Sequence, residues 1–143
     1  MADLTGLIRV RKYAVEQKQK FLSELYRQAE ELEAQKKTML EQLAAEEAKV
    51  HEMGVEMLSY FAPYAKGVEQ RVKEIDYSLK TLNKRIELTR DEVCAAFAEL
   101  KKVELTQEAR DDEEAAEIKK KDDMELDEIA LQTFRKKELE EGA

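Results

Sequence analysis

The seven residues Phe61-Ala62-Pro63-Tyr64-Ala65-Lys66-Gly67 decide how the rest of this chain is read. They hold the only proline and one of the four glycines, and a long heptad pattern runs away from them in each direction. Upstream, one set of positions reads Ile8, Val15, Leu22, Ala29, Lys36, Leu43, Val50 and Met57. Its companion set reads Leu4, Arg11, Lys18, Leu25, Leu32, Met39, Glu46, Met53 and Tyr60. Together they form the 3-4 alternation of a coiled-coil a/d seam. Downstream, the a set is Val72, Leu79, Ile86, Val93 and Leu100, and the d set is Val68, Ile75, Leu82, Thr89, Ala96 and Val103. Carried through the proline, the upstream frame places a at 64 and 71, whereas the downstream frame requires 65 and 72. Pro63 also lacks a backbone donor and clashes with the preceding turn. A reversal here accommodates both the slip and the proline. The spacing therefore predicts an all-α fold: a long antiparallel two-helix coiled-coil hairpin in a single domain, 1–143. Helix one covers about 4–60, the turn about 61–64 and helix two about 64–137.

Composition points the same way. Charged residues make up 41% of the 143 residues, aromatics 6%, and tryptophan is absent, a balance that suits long helices rather than a thick core. Leu, Ile, Val and Met recur at fixed spacing, which argues against disorder. The net charge of −8 disfavours nucleic acid and anionic membrane as partners, since both require a basic face. No apolar run approaches the roughly 20 residues of a membrane span, so no direct membrane insertion is expected. The opening Met-Ala-Asp-Leu-Thr-Gly-Leu lacks the layout of a secretion signal, and the lone Cys94 allows no internal disulfide. A cytoplasmic protein is the expectation.

Polar residues within the seam predict the register. Aligned so that partner numbers sum to 125, Arg11 meets Glu114, Lys18 meets Gln107 and Lys36 meets Thr89, which keeps charge away from apolar carbon. Leu4 then reaches Lys121, and everything beyond about Asp122 overhangs the first helix. That overhang carries Met124, Leu126, Ile129, Ala130, Leu131 and Phe134, apolar groups at helical spacing with no internal partner, the pattern of a docking face. A candidate patch follows at the free end: Leu7, Arg9 and Arg11 from helix one with Leu126, Ile129 and Phe134 from helix two. A second candidate is the aromatic group Tyr60, Phe61 and Tyr64 at the turn. Across the seam-flanking surface, Asp76 is spaced to pair with Lys80.

Nothing in the sequence resembles an active site. A phosphate-binding loop is missing, and a two-helix rod offers no concave site where catalytic groups converge. His51 reads as a solvated ring and Cys94 as a half-exposed thiol. Asp111-Asp112-Glu113-Glu114 is a solvated run, because contiguous carboxylates on a helix diverge and lack a ligand loop. The expectation is a non-enzymatic protein with no catalytic residues, no metal and no cofactor.

Three stretches carry a family resemblance: Leu4-Thr5-Gly6-Leu7-Ile8-Arg9-Val10-Arg11, the Tyr64/Val68/Val72 spacing, and Glu125-Leu126-Asp127-Glu128-Ile129-Ala130 followed by Arg135-Lys136-Lys137. Over essentially its whole length the chain resembles FliJ, a small coiled-coil family of the flagellar type III export apparatus. The resemblance implies a stalk that inserts into the ring of the export ATPase FliI and promotes its assembly and activity. It also implies contacts with the export gate protein FlhA and with export chaperones. Carried over by position, Leu7, Arg9, Arg11, Leu126, Asp127, Glu128 and Ile129 face the ATPase, joined by Phe134 from the free-end patch. Tyr64, Val68 and Val72 lie near the gate-binding region. Localisation is then cytoplasmic and peripheral to the inner membrane, with a role in flagellum biogenesis, motility and chemotaxis. The alternatives are a stalk of a virulence-type secretion system, a prefoldin-like chaperone subunit, or a parallel homodimeric coil with a skip at Pro63. The prefoldin fold needs strand hairpins that 61–67 is too short to contain.

Overall fold

A computed structural model describes residues 3–142. They form α1 (Thr5–Met53), a single 3-10 turn (Val55–Met57) and α2 (Leu58–Glu141), with no strand among the described residues. The fold is an all-α helical hairpin, as the heptad spacing predicts.

The reversal lies elsewhere than predicted. Helix α1 ends at Met53 rather than near Tyr60, and Pro63 is the sixth residue of α2, inside the helix. The chain turns at Gly54, whose φ of 103° and ψ of 175° belong to a region open essentially to glycine alone. Its amide donates to the Val50 carbonyl (3.2 Å), and its own carbonyl accepts from the Met57 amide (3.3 Å). A Cβ at Gly54 would meet nothing within 4 Å, so the requirement comes from the backbone and not from space. His51 in the last turn of α1 adds a polar ring near the free carbonyls. Pro63 is tolerated because it removes only one hydrogen bond, to the Ser59 carbonyl, close to the helix start.

The helices contribute to two compact units. One, Arg11–Ala98, contains the turn and both sides of a seam: Val15, Leu25 and Val50 of α1 and Val68, Ile75, Leu79 and Ile86 of α2 are buried. The buried Thr89 hydroxyl donates to the Arg85 carbonyl (2.8 Å) and so leaves no unmade bond. Two ion pairs cross between the helices, Lys18 to Glu92 and Lys36 to Asp76, each 2.7 Å long. Their partner numbers add to 110 and 112, not to 125. The predicted register is therefore wrong by about two heptads, as a turn centred seven residues earlier demands. Lys36 is not set against Thr89; its stem lies along the seam and its ammonium leaves it for Asp76, which was expected to pair with Lys80. That hydrogen-bonded carboxylate holds the Lys36 pKa above the ordinary lysine value. The resulting stability is fully present below the unfolded-state pKa and is lost as pH rises through the raised one.

The other unit combines Met1–Val10 with Glu99–Ala143. Its paired part is short: Leu100 is buried, and Leu4, Ile8 and Val103 are half-buried. Asp3 starts α1 by accepting the Thr5 amide (3.1 Å) and hydroxyl (2.6 Å), which lowers its pKa. The Leu4 amide donates across to Gln107 Oε1 (2.9 Å), again with partner numbers adding to 111. Throughout the described residues no large side chain is completely buried, the expected condition of a coil only two helices thick.

The turn assignment makes opposite demands on two residues. Gly54→Ala is expected to destabilise the hairpin by about 1–3 kcal/mol through forced backbone strain. Pro63→Ala is expected to be neutral or stabilising, since it restores a helical amide. Urea melts of the two variants check this, and the order reverses if the chain turns at the proline.

Candidate docking surface

Paired structure stops at Gln107. Its side chain accepts the Leu4 amide through Oε1 and donates through Nε2 to Asp111 Oδ1 (2.9 Å), linking the start of α1 to the next turn of α2. Arg110 is the last half-buried residue, and from Asp111 to Gly142 every residue is exposed. The overhang thus begins about a dozen residues earlier than the Asp122 expected from sequence. As helix it spans about 46 Å at 1.5 Å per residue.

This tail forms a helix for local reasons. Between Asp111 and Glu141 it has no glycine or proline and is rich in Glu, Lys, Ala, Leu and Met. Thr133 returns its hydroxyl to the Ile129 carbonyl (2.8 Å), so even its polar side chain stays local. Apolar groups nevertheless stand in solvent: Leu126 is 63% exposed, Ile129 59% and Phe134 62%, with Ile118, Met124 and Leu131 alike. Charge alternates in blocks along the same helix, acidic at 111–114, basic at 119–121, acidic at 122–128 and basic at 135–137.

The seam positions inherited from the paired region are Gln107, Arg110, Glu114, Glu117 and Lys121 after Val103, all of them polar. Those five positions mark where the partner helix ends and were the available signal for the overhang. The apolar stripe of the tail follows a different frame, through Ala115, Leu126, Ile129 and Thr133. That line is centred about 150° around the helix from the old seam, whose own frame continues through Met124 and Leu131.

The predicted free-end patch is not one surface. Leu7 and Arg9 are exposed near the start of α1, in the unit where Leu4 reaches Gln107. Leu126 lies about 28 Å farther along α2 than Gln107 at helical rise, so Leu7 and Arg9 do not join Leu126, Asp127, Glu128, Ile129 and Phe134. Arg11 is a half-buried seam residue whose Nε is buried without a hydrogen-bond partner, unlike the open Arg9. The second predicted set divides as well. Tyr64 is exposed, its ring tilted 51° against Phe61 at 6.2 Å between centroids. Val68 is buried and Val72 half-buried, so both serve the seam. Phe61 occupies a seam position while Tyr60 points to solvent, so the three aromatics do not form a single cluster.

Among the described residues no group of three or more His, Cys, Asp or Glu could hold a metal ion. No helix there is long and apolar enough to cross a membrane. Cys94 is an exposed free thiol.

The geometry defines a class: a helical hairpin whose second helix continues as an uncovered, amphipathic, charge-blocked tail. The family model described as "Flagellar FliJ protein" matches residues 1–139, and the chain belongs to that family. It is a flagellar export-related stalk protein, of a family that supplies a structural export component. No curated protein and no solved structure matches the chain.

Since the tail contributes nothing to the paired core, a chain ending at Arg110 is expected to keep the urea midpoint of the full chain. A chain ending at Leu100 loses Val103 and Gln107 and is expected to be about 1–3 kcal/mol less stable. Denaturation curves of the two truncations, run at equal dilution, check where pairing stops.

Proposed function

We propose that this chain is a non-enzymatic stalk that docks its exposed tail on the assembled ring of the flagellar export ATPase and so promotes ring assembly, turnover and export. The observation that carries this reading is the unbroken exposure of Asp111–Gly142 on a helix bearing Leu126, Ile129 and Phe134. A helix of this kind lacks tertiary support and orders fully on a partner. Membership of the flagellar FliJ family supplies the class of partner.

The physical mechanism is linkage. A stalk that binds the closed ring more tightly than separate subunits shifts the equilibrium toward the ring by its difference in affinity, and by no more. Leu126, Ile129 and Phe134 are the apolar anchors, with Asp127 and Glu128 beside them as charged orienting groups. Leu7 and Arg9 form a separate contact nearer the paired coil. The half-buried Arg11 acts mainly through the coil itself. Contact with the export gate protein rests on Tyr64, since Val68 and Val72 hold the helix that presents it. Export chaperones engage the same exposed helical surface, and the protein is cytoplasmic, held at the inner membrane through the export apparatus.

The test is ATPase turnover with the cognate export ATPase at rising concentrations of the full chain. Wild type is expected to raise turnover. A variant carrying Leu126→Asp, Ile129→Asp and Phe134→Asp is expected to need at least about tenfold more protein for half the effect. Equal stimulation by both proteins removes the tail from the docking surface.

A further inference from the structure

We infer that the exposed tails of two copies of this chain pair with each other as an antiparallel coil. The inference concerns the isolated protein and does not rest on the ATPase reading.

The argument begins with the face that lacks a partner. Ala115, Asp122 and Ile129 recur every seven residues, and Lys119, Leu126 and Thr133 fall between them, so the six share one side of the tail. All are exposed, and Ile118 and Ala130 flank them. An antiparallel coil places the a positions of one helix against the d positions of the other. Applied to this face, that condition is met at partner sums seven apart, 241, 248 and 255 among them, and the charge blocks at the two ends of the tail select 248. Ala115 then meets Thr133, Lys119 meets Ile129 and Asp122 meets Leu126, each twice by the two-fold symmetry of an isologous contact. Ile118 and Ala130 fall at one level on opposite edges of the seam.

The charges that select this register stand at both ends of the tail. Asp112 falls opposite Lys136 within the face, and Asp111 and Lys137 flank that layer. The four residues stand on or beside the shared face, and every one is exposed. The acidic start of each tail therefore lies against the basic end of the other. A parallel arrangement would set Asp111 and Asp112 against their own copies, and Lys136 and Lys137 likewise, which is unfavourable at both ends. Within each helix Lys119 and Asp122 lie one turn apart with opposite charge, so the two polar residues of the seam neutralise each other. Phe134, Met124 and Leu131 lie off this face and stay uncovered. Pairing thus hides Leu126 and Ile129 while leaving other apolar groups of the tail accessible.

Sedimentation equilibrium of the full chain over a range of concentrations tests the proposal. Wild type is expected to dimerise reversibly. The variants Lys136→Glu/Lys137→Glu and Asp111→Lys/Asp112→Lys are each expected to associate at least about tenfold more weakly, because like charges then face each other. An equimolar mixture of the two is expected to recover association to within about threefold of wild type, since each supplies the charge that the other lacks. Helix content by circular dichroism, unchanged in both variants, excludes loss of folding. A wild-type chain that stays monomeric up to its solubility limit overturns the inference. So does a dimer indifferent to either reversal, or a mixture that fails to recover.

Discussion

The position of one glycine governs everything downstream of it. In a two-helix hairpin, each residue by which the turn moves changes the sum of partner numbers by two. Gly54, rather than the 61–64 stretch, closes the chain on itself, and the sum falls from 125 to about 111. Every layer then changes partner while the frame of each helix, up to Val50 on α1 and from Val68 on α2, is kept. The length of uncovered helix changes too, because α1 has a fixed start at Thr5 and can cover only so much of α2. The tail that defines this protein's surface is thus a consequence of where a φ of 103° is permitted.

The frames were legible in the sequence and the turn was not. On α2, the predicted a and d positions from Val68 to Val103 are all buried or half-buried. On α1 the same holds except at Lys18 and Glu46, up to Val50. A phase slip proves that a break exists but locates it only between the last seam residue of one frame and the first of the next. Extending the α2 frame backward by one heptad reaches Phe61 and Ala65, both half-buried, whereas Met53, Met57 and Tyr60 of the α1 frame are exposed. The frame of α2 thus already ran through the proline. Pro63 drew the turn toward itself because proline disrupts a helix interior, yet near a helix start its cost is small. Gly54 had the property that a reversal needs, a positive φ open to glycine.

Matching polar seam residues to polar partners misled for a related reason. Arg11, Lys18 and Lys36 carry three- and four-carbon stems that can lie along apolar surface while the charge escapes sideways. Lys18 and Lys36 do this, reaching Glu92 and Asp76 outside the seam. Such pairs tolerate an apolar residue directly opposite, so they hold little information about register. The buried Nε of Arg11, which has no hydrogen-bond partner, shows the limit of this tolerance.

The candidate surface was legible in its composition but not in its extent or shape. Leu126, Ile129 and Phe134 stood out as apolar residues with no internal partner, and they are exposed as expected. Their separation from Leu7 and Arg9 could not be read without the register. The more telling feature is the rotation of the stripe. Carried into the tail, the frame that faces α1 runs through Glu114, Glu117, Lys121, Met124, Glu128 and Leu131. Four of those six are charged, and a second line through Ala115, Leu126, Ile129 and Thr133 lies about 150° around the helix. A longer α1 would therefore reach Met124 and Leu131 but not this second line. One uninterrupted helix thus carries two lines of apolar residues on two faces, the first meeting its own chain as far as Gln107 and the second facing away from it.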